Sequence, residues 1–365
     1  MDSEVRVRAR VSLVQIQRNF KAISRLAPQS QIIPMVKADA YGHGALAVAR
    51  ALAHEPRLDA FGVATLDEGR ELREARLSQS ILIFSGTAHW DQKKGQFCER
   101  FGLTPVISSL ADLEAFLRHG WQRRIRYELK FNTGMNRLGI EVSDLSSCLD
   151  LIQKLKVSER PQGVLSHLAT ADQPQHPLTR IQVERFREIT QAFGNRLARP
   201  KFHLQNSAAI WNASALGIRN EFLCVRPGLS LYGITPSLHA PARGVLPALR
   251  LEARLLQVKR LKKGERVGYS GTYRVRAASE RVGTLGIGYA DGLHRLLSNQ
   301  SNFVGLISMD LTGIRLRPSQ KEGDWISVTG KLSRDLWKSA RCAGTVPYEL
   351  LTSISSRVRR DYEST

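Results

Sequence analysis

The sequence predicts an α/β chain in two parts: an N-terminal (β/α)8 barrel of the TIM type, then a mostly β C-terminal domain. Three observations carry that expectation. Eight short apolar runs, each followed by a helical pattern, recur between residues 32 and 225, and strands alternating with helices build parallel sheets closed by crossover helices. No Rossmann Gly-rich fingerprint follows the first run, which disfavours an open doubly wound sheet. Beyond Pro236 the pattern changes to short β-like runs separated by glycines.

The eight runs are Ile32–Val36, Ala60–Ala64, Ile81–Phe84, Leu103–Ile107, Ile125–Leu129, Gly163–Leu168, Phe202–Leu204 and Phe222–Val225. After the first, Gly42-His43-Gly44 turns the chain into a helical pattern from Ala45 to Leu52. After the second, Thr65-Leu66-Asp67-Glu68 is a capping box that starts a helix reaching Arg76. Pro236 to Gly244 has turn composition and reads as a linker. The later β-like runs are Leu255–Val258, Val282–Ile287, Phe303–Ile307, Ile314–Leu316 and Trp325–Val328. The expected division is residues 1–236 and 237–365, with the first ten or so residues as an alternative member of the second domain.

The 365 residues suit two domains, and 42 % are hydrophobic, enough for a large core. No apolar stretch of about eighteen residues occurs, so no membrane span is expected. The first ten residues lack the apolar segment of a signal peptide, and Cys98, Cys148, Cys224 and Cys342 form no C-x-x-C pair. Together these point to a reducing, cytoplasmic setting without a zinc site or disulfide framework. The net charge of +21 raises the question of nucleic acid. The basic residues are scattered, however, and the densest clusters, Arg123 to Arg126 and Arg357 to Arg360, are not interleaved with aromatics. A basic solvated surface that attracts anions is the better reading.

The chemistry concentrates around Pro34-Met35-Val36-Lys37-Ala38-Asp39-Ala40-Tyr41-Gly42-His43-Gly44. Lys37 ends an apolar strand, where an amine set back from bulk water can condense with an aldehyde. Tyr41 can donate its hydroxyl to an anion beside the free N–H groups of the next helix start. Further polar clusters follow the fifth strand (Lys130 to Gly139), the sixth (Ser166-His167), the seventh (Asn206-Ser207) and the eighth (Arg226 to Gly233). Barrel active sites lie at the C-terminal ends of the strands. Any one of these residues alone is more often a hydrogen-bonded support; together, opening on one face, they read as a site.

Lys37 to Gly44, Thr133 to Gly139, Val225 to Gly233, Gly288 to Gly292 and Met309-Asp310 resemble the motifs of alanine racemases, in the family's order and across nearly the whole chain. The resemblance implies a pyridoxal 5′-phosphate (PLP) enzyme that interconverts L- and D-alanine, supplying D-alanine for peptidoglycan, and a homodimer with shared active sites. Lys37 resembles the cofactor-bearing lysine and the base acting on D-alanine; Tyr269 resembles the base acting on L-alanine. A free phenol titrates near 10, so that role calls for the network that His167 and Arg226 resemble. Arg226 also matches the residue facing the pyridine nitrogen, where a permanently protonated guanidinium leaves the ring a weaker electron sink. Tyr41, Ser207, Gly228, Leu229 and Tyr348 resemble phosphate contacts, and Asn206 is grouped with the cofactor contacts. Arg137 resembles the residue at the PLP phenolic oxygen and the substrate carboxylate, and the backbone of Met309 resembles a further substrate-carboxylate contact. Lys130 resembles a lysine often carbamylated in the family, which orients Arg137. The chain departs from the usual pattern at Asn132, Leu306, Leu311 and Ser356. Rival readings are a racemase of serine or a basic amino acid, a PLP-dependent decarboxylase of the same barrel type, and a PLP-carrying barrel without enzymatic activity. Arg226, Tyr269 and residues 237–365 argue against the last two.

Overall fold

A computed structural model describes residues 5–197, 200–218, 221–237, 244–300, 302–330 and 332–363. The chain starts with strand β1 (Val7–Ser12). Ser12 then caps the helix Leu13–Leu26 by accepting from the N–H of Gln15. The barrel strands follow as β2 (Gln31–Ile32), β3 (Ala60–Val63), β4 (Ser80–Ile83), β5 (Thr104–Ile107) and β6 (Glu128–Asn132). A two-residue strand, β7 (Ile140–Glu141), hangs on β6, and β8 (Gly163–Leu165), β9 (Lys201–His203) and β10 (Cys224–Val225) complete the ring.

Parallel pairing runs β3-β4-β5-β6-β8-β9, and β10 pairs with β2. Bridges from Met35 to Gly62 and from Asn206 to Arg226 join these two sheets into a closed curl. Alternation along the strands sends Phe61, Ile81, Ile107, Leu129 and Phe202 to one packed layer. Ile33, Ala60, Leu82, Val106, Leu165 and Cys224 fill the other, inside the curl. The helices on the outside carry their own stop and start signals. Thr65 and Glu68 form the expected capping box, and Asp91 and Ser109 cap the next two helices.

The eight apolar runs all mark barrel strands, with shifted limits. The fifth strand begins three residues late, because a 3-10 turn at Trp121–Arg123 carries Ile125 into its own hydrogen bonding. Pro34 interrupts the first run, so only Gln31–Ile32 pair as a strand while Ile33 to Val36 stay buried. The helix expected to reach Arg76 stops at Glu74, and Arg76 takes a left-handed φ of 63°.

The C-terminal sheet is built on β11 (Leu249–Lys262), followed by β12 (Arg266–Val267), β13 (Tyr273–Arg274), β14 (Ser279–Leu285), β15 (Thr312–Arg315), β16 (Trp325–Ser327) and β17 (Arg359–Glu363). Its order is β15-β14-β11-β1-β17, with β16 also on β11. β1 therefore lies in this sheet, antiparallel to β11 and parallel to β17. Phe303–Ile307, expected as a strand, makes only a single bridge from Phe303 to Ile314; Gly305 at φ 74° breaks the ladder. Of the linker Pro236–Gly244, residues 238–243 lie outside the described residues. No helix among the described residues is long and apolar enough to cross a membrane.

Asn19 ties these parts together. Its buried amide donates to the carbonyls of Leu231 and Leu246, both at 2.9 Å, and accepts from the N–H of Leu246 at 3.0 Å. Replacing it by a near-isosteric hydrocarbon orphans three backbone groups. Asn19→Leu is expected to lower the unfolding free energy by about 2–3 kcal/mol, measured by urea denaturation.

Candidate active site

The site forms where the barrel strands end. A cavity of about 540 Å³ opens there. Lys37, Tyr41, Lys130 and Arg137 line it, with His167, Asn206 and Ser207 beyond them. Arg226, Gly228 and Leu229 close the floor, and Tyr348 reaches in from the helix Pro347–Thr352. Tyr269 and Met309 are not on this wall. They sit in the C-terminal region, 71 % and 53 % exposed, Tyr269 in a short 3-10 turn between β12 and β13.

Lys37 is held by an unusual backbone. Ala38, Asp39, Ala40 and Tyr41 all take left-handed angles, with φ between 51° and 54°. For residues with a Cβ each such angle costs roughly 1–2 kcal/mol. The turn ends at Gly42, φ 79°, where a Cβ would meet the carbonyl oxygen of Leu351 at 2.2 Å. Glycine is thus required by both the backbone angle and the close approach of the helix Pro347–Thr352. Burial, and secondarily Arg137, lowers the Lys37 pKa, while Glu68 opposes them. A larger neutral fraction makes the amine a better nucleophile and base.

Across the cavity, the donors converge as an anion cradle. The Ser207 hydroxyl accepts from the N–H of Gly228 at 3.0 Å and of Ser230 at 3.3 Å, leaving its own proton for another acceptor. Leu229 is 1 % exposed, and its N–H has no acceptor among the described residues. Tyr41 is held protonated, its pKa raised by burial and then by Tyr348. A Cβ on residue 228 would lie 2.5 Å from the Tyr41 hydroxyl, so glycine keeps this corner open. Asn206 serves the backbone instead. Its amide oxygen caps the helix Ser207–Trp211, and its amide nitrogen donates to the Leu168 carbonyl.

Arg226 is 3 % exposed. One terminal nitrogen, Nη1, donates to Nδ1 of His203 at 2.8 Å and to the His203 carbonyl at 2.7 Å. The other, Nη2, donates to the carbonyls of Ser166 at 2.5 Å and Leu204 at 3.4 Å. Its Nε–H has no partner among the described residues, so that donor is left for the cavity that Arg226 lines. Behind it, Nε2 of His203 lies 2.9 Å from a Glu128 carboxylate oxygen. Burial lowers the His203 pKa, so the ring is neutral; Nε2–H donates to Glu128 and Nδ1 accepts from Arg226. Arg226 itself is brought down by burial to about 10, against the pull of Glu128, and stays protonated at neutral pH. Neither Glu128 nor His203 was among the residues expected from sequence. The available signal was a charged or polar residue at an interior position of an apolar strand.

Lys130 is lowered to about 8 by burial, then by Arg137, Arg226 and Lys37. His167 is pushed well below the usual histidine range by burial and by the same four cations, Arg226 foremost. Lys37, Lys130, Arg137 and Arg226 give the cavity a strongly positive wall, with Asp172 as its acidic residue. Such a site selects anionic groups.

Asn132 is explained by its neighbour. Its amide nitrogen donates to Glu141 at 2.9 Å and to Asn136 at 3.0 Å, while its oxygen accepts from the N–H groups of Gly134 and Asn136. This fastens the loop that carries Arg137. An aspartate there would set two carboxylates together. Leu306, Leu311 and Ser356 do not line the cavity, and nothing around them explains the departures.

A closed parallel barrel with a half-buried lysine and converging hydrogen-bond donors at its strand ends, joined to a β domain, defines an α/β-barrel enzyme whose mouth suits a small anionic ligand. Residues 11–236 match the family profile described as alanine racemase, N-terminal domain, and residues 248–362 that of the C-terminal domain. The chain belongs to the alanine racemase family. It is 35 % identical to the alanine racemase of Carboxydothermus hydrogenoformans, over 97 % of this chain and 98 % of that one. It is 36 % identical to that of Aquifex pyrophilus, over 95 % of each. Among solved structures, alanine racemase from Streptomyces lavendulae superposes with a TM-score of 0.87 at 28 % identity, covering 100 % of this chain and 98 % of that one. The biosynthetic enzyme of Pseudomonas aeruginosa gives 0.84 at 32 % identity, covering 98 % and 99 %.

Asn132→Asp is expected to destabilise the protein by about 1 kcal/mol near neutral pH. The loss should fade as pH falls below about 4, where both carboxylates are protonated. Adding Glu141→Gln should recover most of it, which thermal melts of the double-mutant cycle will show.

Proposed function

We propose that this chain is a PLP-dependent alanine racemase, acting by two bases in a homodimer with shared sites. The observation that carries the reading is the convergence, in one cavity, of the Lys37 amine with the anion cradle and the spare Nε–H of Arg226. These residues fit the cofactor. Tyr41, Ser207, Gly228 and Leu229 would hold its phosphate, and Arg226 Nε–H would donate to its pyridine nitrogen. Arg137 would hold its phenolic oxygen and the substrate carboxylate. When bound, the cofactor supplies a sink for the electron pair left at the substrate Cα.

The protein's own part is to move one proton. Lys37, its pKa lowered by burial, takes or returns the proton on one face of Cα. The opposite face requires a second base. Tyr269, 71 % exposed in its own chain, would supply it by reaching the cavity of a second copy, together with the backbone N–H of Met309 for the substrate carboxylate. His167, kept neutral, and Arg226 would complete the surrounding network. Tyr348, which lines the cavity, would stand near the substrate side chain and favour alanine over larger amino acids.

Lys130 has a further role in this reading. Its amine adds to carbon dioxide, forming an N–C bond and releasing a proton, and the resulting carbamate is negative opposite Arg137. Protonated amine cannot add. Since the Lys130 pKa is lowered to about 8, carbamate should increase as pH rises through about 8. A ¹³C NMR carbonyl signal in ¹³C-bicarbonate buffer, lost in Lys130→Ala, checks it.

Incubation with L-alanine should yield D-alanine, and serine and lysine should react far more slowly. Lys37→Ala and Tyr269→Phe should each abolish most activity. Dissociating and re-pairing the two variants should restore it, with up to one working site per mixed dimer. Mixed dimers as inactive as their parents would mean that both bases come from one chain.

A further inference from the structure

The capping box after the second barrel strand is present, but its glutamate does more than cap a helix. One oxygen of Glu68, Oε2, accepts from the N–H of Ala64 at 2.7 Å and of Thr65 at 3.1 Å. The other, Oε1, accepts from the N–H of Ala38 at 2.7 Å. Ala38 follows Lys37 directly and is the first residue of the left-handed turn. A capping box needs one carboxylate oxygen on its own helix start. Here the second oxygen crosses to the neighbouring loop, so a single side chain pins two successive strand ends together.

We propose that Glu68 is a positioning residue for Lys37: by clamping the Ala38 N–H it fixes the left-handed turn that presents the lysine amine to the cavity. The functional meaning rests on the reading of Lys37 as the cofactor-bearing base. The clamp has an electrostatic side as well. The charged and titratable groups that act with Lys37 are Arg137, Lys130, His167 and Glu68. Of these Glu68 is the anion, and it holds the amine closer to protonation than burial and Arg137 alone would. Lys37 is thus balanced between two cationic neighbours inside the cavity and one carboxylate behind it.

A carboxylate is the group this geometry demands. Two oxygens serve three N–H donors on two loops, and an amide offers only one oxygen. Glu68→Gln keeps the volume but turns an NH2 group toward either Ala38 or the Ala64–Thr65 pair, and it removes the charge. Thr65→Val is the matching control. It deletes the other half of the box, the bond from the Glu68 N–H to Thr65 Oγ1 at 3.2 Å, and leaves the Ala38 clamp in place.

The test reads Lys37 directly. The full-length chain, freed of cofactor with hydroxylamine, is pulsed with acetic anhydride across a pH series, and labelling of Lys37 is quantified by peptide mass mapping. Neutral amine reacts, so the profile gives its titration midpoint. Glu68→Gln should move the midpoint to lower pH, with faster labelling below the wild-type midpoint. Thr65→Val should lower the melting temperature and leave the midpoint unchanged. A wild-type profile in Glu68→Gln overturns the proposal, and so does an equal shift in both variants. Because the readout needs neither cofactor nor turnover, a chain that fails to make D-alanine would sink the racemase reading without touching this result.

Discussion

A guanidinium placed inside a barrel needs hydrogen-bond acceptors and a counter-charge, and the site depends on how Arg226 finds them. Desolvating a charge costs several kcal/mol unless hydrogen bonds and an opposite charge compensate. Three backbone carbonyls and the His203 ring occupy both terminal nitrogens of Arg226. Glu128 supplies the counter-charge one ring further down. The barrel interior makes room for it: a Cβ on residue 163 would lie 2.5 Å from the Glu128 carboxylate. With the two outer nitrogens committed, only Nε is left for the cavity. The orientation of the guanidinium is therefore set from behind, independently of what binds in front.

The opposite wall uses the reverse strategy. Arg226 is locked by polar partners, whereas Lys37 is aimed by backbone that most residues avoid. Such angles persist only when the surroundings over-determine them. Here the helix Pro347–Thr352 presses on Gly42, and the Gly44 N–H bonds the Asp39 carbonyl at 2.9 Å. Asp39 itself accepts from the N–H of Ala45 at 2.8 Å to start the next helix. Packing from the far end of the sequence is thus part of the support for the turn that follows Lys37. The same helix brings Tyr348 against Tyr41, with ring centroids 6.0 Å apart.

Much of this was legible in the sequence because it is local. Apolar runs at strand spacing located all eight barrel strands, since a strand buried on both faces must be apolar whatever its partners. Glycine at 42 and 228, the lysine ending the first run, and the arginine after the eighth were readable as a pattern of residue types at strand ends. The capping box was readable because all its atoms lie within four residues. The strand limits were less so: Pro34 and the 3-10 turn before β6 moved them without changing composition.

The sequence by itself determined the alternation of strands and helices, the family motifs and the set of polar residues at the barrel mouth. Only the tertiary structure decided which atoms of those residues are free to act. That Arg226 keeps just Nε depends on carbonyls 22 to 60 residues away, and that His203 offers Nδ1 as the acceptor depends on Glu128, 75 residues distant, taking the proton of Nε2. Tyr269 shows the same division from the other side. Its motif resembles one of the family's, but its exposed place outside its own cavity is a property of chain path. Hydrogen-bond commitments and burial are long-range quantities, and a linear pattern carries the residue type without the partner.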